Sequence, residues 1–347
     1  MRLTHWVLGA ATMAMALADA ADAQQAPSYR IAKTAKVGGD GGFDYVYADV
    51  ANRRLYVPRS GTAPYISVFN LDTLEPAGQI AGYSAHGAAV DPKSGHGFAT
   101  SKPVVMWDAK TLTVIKTIDV QGSPDGILFD PFNERVYILS HGAPNMTVID
   151  AVTGTVAGTI DLGAAPEQAV TDGNGHIYVD LEDKGQIAVI DAKNMTVTAH
   201  YDLGAPDLTP AGLALDARNH VLFAACRNPA QMVILNADTG KIITTLPIGV
   251  GVDGASFNPA TREAFSSQGD GSLTIVKETS PTQFAVEQNV QTQTGAKTLT
   301  LDSRTNRIIL ITAEYQPAPD TAPAAAPGRA RRGPMVPGSF SLIAVGK

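Results

Sequence analysis

The sequence predicts an all-β protein that is assembled from seven copies of one four-stranded unit. Turn-forming residues are spread along the 347-residue chain, which has 33 glycines and 22 prolines. The clearest copy runs from Asp125 to Pro166, and turns rich in Gly, Pro, Asn or Asp separate its four β-type runs. These runs are Gly126–Phe129, Arg135–Leu139, Met146–Ile149 and Val156–Ile160. A sheet this small cannot bury both faces by itself, so it needs neighbouring copies.

A polar residue that ends the first strand of each unit recurs at a nearly constant step. Successive steps are 42, 39, 42, 44, 42 and 44 residues. The seven anchor residues are Asp49, Asp91, Asp130, Asp172, Asp216, Asn258 and Asp302. Their short side chains can hydrogen-bond the backbone of the following turn, so we expect a structural role. Four strands in a period of about 40–45 residues predict a β-propeller of seven four-stranded antiparallel blades.

The seventh unit is one strand short at the carboxyl end of the chain. Its predicted strands are Thr298–Leu301, Ile308–Thr312 and Phe340–Val345. The run Tyr29–Val37 has the pattern of a fourth strand, but no first three strands precede it. We therefore predict that this N-terminal strand closes the last blade, because pairing there removes a seam of unpaired strand edges.

The N-terminus has the pattern of an export signal. Arg2 precedes an apolar run over Trp6–Ala18, and Ala21–Ala23 fits a small-x-small cleavage site. The run is shorter than the roughly 18–20 residues that span a bilayer. We predict a signal peptide over residues 1–23, a single propeller over 24–347, and a periplasmic or secreted protein without a membrane span. An uncleaved anchor is the alternative.

The composition shifts between residues 315 and 338, where the last blade needs only a short loop between its second and third strands. This stretch contains six prolines and three arginines. Such a composition predicts a disordered, solvated insertion. A basic contact to an anionic partner is the alternative.

Charge and motifs exclude several classes of function. The formal net charge of −7 argues against a protein that binds nucleic acid through bulk positive charge. Neither a Rossmann nor a P-loop pattern occurs, so no nucleotide cofactor is predicted. The single cysteine, Cys226, follows apolar residues and is expected to be buried. We expect a monomer whose partner is a small polar ligand, a protein or a peptide.

The sharpest functional signal lies where the first strand of each blade begins, at one mouth of the central channel. Six of the seven residues five places before the anchors are ionisable, although only 17% of the chain is charged. These seven positions are Asp44, His86, Asp125, Glu167, Ala211, Asp253 and Lys297. The ends of the second strands reach the same mouth and add further candidates, namely Arg59, Lys102, His141, Glu182 and Arg227.

These residues predict a polar pocket that binds a small polar ligand, an ion or a peptide. Carboxylates and an imidazole suit a divalent metal ion, which is the only cofactor suggested. The candidate metal ligands are Asp44, His86, Asp125, Glu167 and Asp253. Crowded carboxylates are also expected to raise one another's pKa. A metal-assisted hydrolase or lyase, with His86 or His141 as acid or base, is the alternative to a binding protein. A solvated funnel whose charges serve only solubility is a third interpretation.

Several of the repeat markers carry a family resemblance. Arg135-Val-Tyr-Ile, Val148-Ile-Asp150 and Ile160-Asp-Leu-Gly resemble the YVTN-repeat (YncE-like) β-propeller proteins. The resemblance covers essentially the whole mature chain. It implies an exported seven-bladed propeller that belongs among binding and scaffold proteins, although propellers of similar outline include lactonases and a lyase. It assigns no catalytic residue.

Overall fold

A computed structural model describes residues 28–143, 145–319 and 333–347. Within these ranges the chain forms 28 β-strands and no helix. The described residues therefore contain no helix that could span a membrane. The predicted signal peptide over 1–23 lies outside the described residues. Residues 320–332 of the Pro- and Arg-rich stretch lie outside them as well.

The strands follow one another in seven groups. They are β1 Arg30–Lys36; β2 Tyr47–Asp49, β3 Arg54–Arg59, β4 Tyr65–Asn70, β5 Pro76–Ala81; β6 Ala88–Asp91, β7 His96–Ala99, β8 Val104–Asp108, β9 Val114–Ile118; β10 Pro124–Asp130, β11 Arg135–Ser140, β12 Asn145–Asp150, β13 Val156–Asp161; β14 Pro166–Thr171, β15 His176–Leu181, β16 Gln186–Asp191, β17 Thr196–Asp202; β18 Pro210–Asp216, β19 Val221–Cys226, β20 Gln231–Asn236, β21 Ile242–Pro247; β22 Val252–Asn258, β23 Glu263–Gln268, β24 Ser272–Ser280, β25 Gln283–Gln291; and β26 Thr298–Asp302, β27 Arg307–Thr312, β28 Ser341–Gly346.

Seven four-stranded antiparallel sheets confirm the predicted propeller. In six sheets the strands pair in chain order, whereas the seventh has the order β1-β28-β27-β26. Strand β1 pairs with β28 from Arg30 opposite Gly346 to Lys36 opposite Ser341. The prediction that the N-terminal strand closes the last blade is therefore also confirmed.

Both chain ends are fastened to blade six as well. The Tyr29 hydroxyl donates to Glu263 at 2.5 Å, and Lys347 Nζ donates to the other oxygen of the same carboxylate at 2.6 Å. Gln288 donates to the Tyr29 carbonyl at 2.7 Å and accepts from its N–H at 2.9 Å. Closure thus joins the two ends to each other and to a neighbouring blade.

The hydrophobic core lies between neighbouring blades. Between blades one and two, Tyr56 and Trp107 are fully buried, with ring centroids 5.5 Å apart. Gly97 is required there, because a Cβ on it would lie 2.2 Å from the indole. The anchor residues bond their turns as predicted; Asp91 Oδ1, for example, accepts the N–H of Lys93 at 2.9 Å. The anchors thus have a structural role at one end of each first strand, and functional residues are expected at the opposite end.

Candidate functional site

Backbone irregularities place the polar residues at the channel mouth. In blade three the pairing register shifts between Pro124 and Ile127, and Asp125 lies in this interval. Blades four, five and six have the same shift around Glu167, Ala211 and Asp253, respectively. A bulge breaks the strict alternation of a strand and can re-aim a side chain. In the remaining three blades the ionisable residue precedes the first strand, so the ladder does not constrain it.

These side chains line an open bowl with a volume of about 270 Å³. Its lining consists of Asp44, His86, Ser123, Pro124, Asp125, His141, Glu167, Arg227, Asp253 and Lys297. Eight of the eleven ionisable candidates from the sequence therefore meet in one place, whereas Arg59, Lys102 and Glu182 are not part of the lining.

On one side of the bowl, three carboxylates alternate with two histidines. His86 Nδ1 lies 3.0 Å from Asp44 Oδ2 and 3.3 Å from Asp125 Oδ1. His141 Nε2 lies 3.4 Å from Asp125 Oδ2 and 2.8 Å from Glu167 Oε2. Each oxygen of Asp125 thus faces a different imidazole.

On the other side, the alternation continues through an arginine and a lysine. Glu167 Oε1 accepts from Arg227 Nη2 at 2.8 Å, and Arg227 also pairs with Asp253. Lys297 pairs with Asp253 and lies 3.2 Å from Asp44 Oδ1. The contacts close a cycle in which four acids alternate with four bases. We call it the charge ring, made of Asp44, His86, Asp125, His141, Glu167, Arg227, Asp253 and Lys297.

Arg227 completes the charge ring in the blade whose first strand contributes no charge. Ala211 occupies that position in blade five, and its methyl group cannot reach an acid. Arg227, at the end of the second strand of that blade, instead reaches Glu167, Glu182 and Asp253 with a side chain only 3% exposed. The ring therefore combines first-strand and second-strand positions.

Arg59 does not join the ring, although its sequence position predicted that it would. Its guanidinium lies over the Phe340 ring, 3.3 Å from the centroid, and donates to the Gly38 carbonyl at 3.1 Å. The residue is 1% exposed, and burial lowers its pKa. An aromatic face and a carbonyl at the junction of blades seven and one draw Arg59 outward.

The bases of the ring lower the pKa of two carboxyl groups, although the neighbouring carboxylate of Asp44 acts on Glu167 in the expected opposite direction. Burial opposes the charge of Asp44, but the His86 hydrogen bond and the Lys297 charge outweigh it and lower its pKa to about 2. Burial likewise opposes the charge of Glu167, but His141 and Arg227 lower its pKa. Contact with Glu167 in turn raises the pKa of His141 to about 9. Alternation of charge thus outweighs the like-charge repulsion at these positions.

Asp125 shows the opposite behaviour. Burial, followed by the charges of Glu167 and Asp44, raises its pKa to about 6, although two imidazoles oppose the shift. Asp125 Oδ1 and His141 Nε2 are buried atoms with no hydrogen-bond partner among the described residues. The carboxylate of Asp125 is therefore the least well satisfied of the three.

Replacing Asp125 with Asn is expected to stabilise the metal-free protein at neutral pH. The folded-state pKa of about 6 lies above the usual value of 3.8, so the cost of ionising Asp125 is absent below about pH 3.8 and complete above about pH 6. The gain in unfolding free energy should grow over this window to at most about 3 kcal/mol. Urea unfolding with a chelator present, between pH 4 and 8, measures it. Glu167→Gln is the matched control and should destabilise at pH 7, since the Glu167 pKa is lowered. A loss of stability in Asp125→Asn at pH 7 would contradict the prediction.

A second set of side chains, which the residue spacing did not predict, connects blades next to the bowl. The Tyr45 hydroxyl crosses from blade one and donates to the Glu167 carbonyl in blade four at 2.9 Å. Gln168 bonds the backbone of Leu213 and Ala255 in blades five and six. Asp180 is fully buried behind Gln168 and accepts its N–H at 2.5 Å, and burial raises the pKa of Asp180 well above its usual value. These residues directly follow or face the mouth positions, but only contacts between blades reveal their role.

Comparisons with known proteins agree on the fold. No family model and no curated protein matches the chain. Among solved structures, a chain of the mitotic checkpoint complex is similar at 12% identity and a TM-score of 0.70, covering 89% of this chain and 95% of that chain. U3-55K is similar at 9% identity and a TM-score of 0.70, with 91% and 98% covered. The RRP9 WD40 repeats are similar at 9% identity and a TM-score of 0.71, with 92% and 97% covered. At such identities the likeness shows the fold alone, a seven-bladed β-propeller with WD40-like structural neighbours.

Proposed function

We propose that this protein is an exported β-propeller that binds a small polar ligand, an ion or a peptide in the bowl formed by the charge ring. The closed alternation of acids and bases around an open cavity carries the proposal. Charges that serve only solubility would extend into water, whereas the Glu167, Arg227 and Asp253 side chains are at most 10% exposed. Holding such groups in a partly desolvated geometry is costly unless they are paired, and the ring pairs each of them at the edge of the cavity.

Two features of the sequence support export to the periplasm or the medium. Residues 1–23 have the pattern of a cleavable signal peptide, and the resemblance to YVTN-repeat propellers implies the same location. Fractionation of cells that produce the full chain tests this part. Retention of an unprocessed chain in the cytoplasm would contradict it.

A thermal-shift screen tests the binding function. Divalent cations and small polar metabolites are added one at a time, and a ligand that binds the folded state raises the melting temperature. We expect at least one to stabilise the wild-type protein and to lose its effect in Asp44→Asn. The matched control is Asp238→Asn, whose carboxylate also pairs with a histidine, His220, at 2.8 Å, but outside the bowl. Absence of any stabilising compound, or equal shifts in both variants, would contradict a binding site in the bowl.

A specific observation favours a second candidate, a metal-assisted hydrolase or lyase at the same bowl. Two groups of one histidine and two carboxylates have ligand atoms within 4.8 Å of one another. A bound divalent ion supplies Lewis acidity and an activated water in such enzymes. Hydrolysis of ester, lactone and phosphoester substrates, with and without added metal, tests this candidate. No rate above that of His86→Ala would exclude it for these substrates.

A further inference from the structure

We propose that the bowl holds two divalent transition-metal ions, bridged by the two carboxylate oxygens of Asp125. This inference rests on the proposed binding function and names its ligand. One position would be formed by Asp44, His86 and Asp125, and the other by Asp125, His141 and Glu167.

The first observation that supports two ions is that the two carboxylate oxygens of Asp125 face different histidines. Its Oδ1 faces His86 Nδ1 at 3.3 Å, and its Oδ2 faces His141 Nε2 at 3.4 Å. Neither contact is a hydrogen bond, and within the part of the chain that the structure describes both Asp125 Oδ1 and His141 Nε2 are buried without a hydrogen-bond partner. Buried polar atoms are normally satisfied, so atoms that approach each other without bonding indicate a missing common partner.

The outer carboxylates provide the second observation, because each has one oxygen held by a base and the other directed to a histidine. Lys297 lies 3.2 Å from Asp44 Oδ1, while Asp44 Oδ2 faces His86. Arg227 holds Glu167 Oε1 at 2.8 Å, while Glu167 Oε2 faces His141. Groups that hold the far oxygen of a ligating carboxylate orient it and tune its basicity in known metal sites. Lys297 and Arg227 would have this positioning role.

The donor set indicates the class of metal. Each position offers one imidazole nitrogen and two carboxylate oxygens, a mixture that suits Zn²⁺, Mn²⁺ or Fe²⁺ better than the all-oxygen preference of Ca²⁺ and Mg²⁺. Three carboxylates against two dications leave a net positive charge, so water, hydroxide or an anionic ligand would complete the coordination. Asp253 was predicted from its sequence position to be a metal ligand, but it pairs with Arg227 and Lys297 and belongs to neither position.

Metal titration of the chelator-treated full chain tests the proposal. Calorimetry and elemental analysis with Mn²⁺ and with Zn²⁺ should give two ions per chain, and the Mn²⁺-loaded protein should show the exchange-coupled EPR signal of a bridged pair. His86→Ala and His141→Ala should each retain one ion and lose the coupling. Asp125→Ala should lose the coupling and weaken binding at least tenfold. Asp238→Asn should behave as the wild type, and circular dichroism of every variant checks the fold.

The outcomes separate this inference from the binding function on which it rests. One ion per chain at saturation would overturn the two-ion site. Stabilisation of the protein by a metal-free ligand, with no binding of Mn²⁺ or Zn²⁺, would overturn it as well, while the binding function would stand. Absence of binding by any ion or small molecule would overturn both.

Discussion

A chain that lacks Tyr29–Val37 is expected to lose most of its resistance to unfolding. The deletion leaves the β28 edge unpaired and removes the Tyr29 side chain, which is 3% exposed and packs on Phe265. Loss of one large buried aromatic side chain alone costs about 3–5 kcal/mol. The deletion also removes a partner of the buried Glu263 carboxylate. Chemical denaturation of the wild-type and shortened chains measures the effect.

Two controls separate closure from a general effect of sequence change. Ile31→Thr keeps the strand and alters a side chain that is 42% exposed, so it should change the unfolding free energy by less than about 1 kcal/mol. A synthetic peptide of residues 28–37 should restore part of the lost stability by adding the missing strand, whereas a scrambled peptide should not. An unchanged denaturation midpoint in the shortened chain would mean that closure contributes little to stability.

Arg227→Met is expected to lower the unfolding free energy more than any other single substitution considered for the charge ring. Met has a similar volume but no charge, so the substitution leaves the buried Glu167 and Asp253 carboxylates without their shared base. Removing one partner of a buried ion pair typically costs about 3–5 kcal/mol. The deficit should shrink in acid, because protonated carboxyls no longer require a partner. Urea unfolding at pH 7 and at pH 4 measures both effects.

The decisive comparison is between Arg227→Met and a triple variant in which the two neighbouring carboxylates are also neutralised. Adding Glu167→Gln and Asp253→Asn to Arg227→Met should recover part of the stability, because these residues form one network and their effects are not additive. Lys36→Met removes an exposed pair with Glu314 and should change stability by less than about 1 kcal/mol. A similarly small effect of Arg227→Met would show that the charge ring does not depend on its guanidinium.

The fold could be predicted from the sequence because each blade repeats local information. Turn residues, strand composition and the anchor spacing recur in every blade, so the strands of an ambiguous blade can be assigned from the clearer ones. The run Tyr29–Val37 was interpretable for the same reason, since it matches one strand of a known unit. Part of the candidate site could be predicted in the same way. First-strand residues such as Asp125 and Glu167 were expected at the mouth because they lie the same number of residues before their anchors.

The partners within the site could not be predicted in the same way. Arg59 and Arg227 lie near equivalent ends of second strands, yet one stacks on Phe340 and the other enters the ring beside Ala211. Which direction an arginine takes depends on residues from other blades, far away in sequence. The hydrogen bonds of Tyr45 and Gln168 likewise join blades that are far apart in sequence.

The seven blades, the closure by the N-terminal strand and a mouth rich in ionisable residues were predictable from the sequence, because period and register are properties of short segments. The folded structure was needed to show that acids and bases alternate around this mouth, that Asp44 and Glu167 have lowered pKa values, and that Asp125 has a raised one. Electrostatic interactions depend on the distances between side chains, which short segments do not specify. Those distances are set here by residues of all seven blades, which meet at one axis.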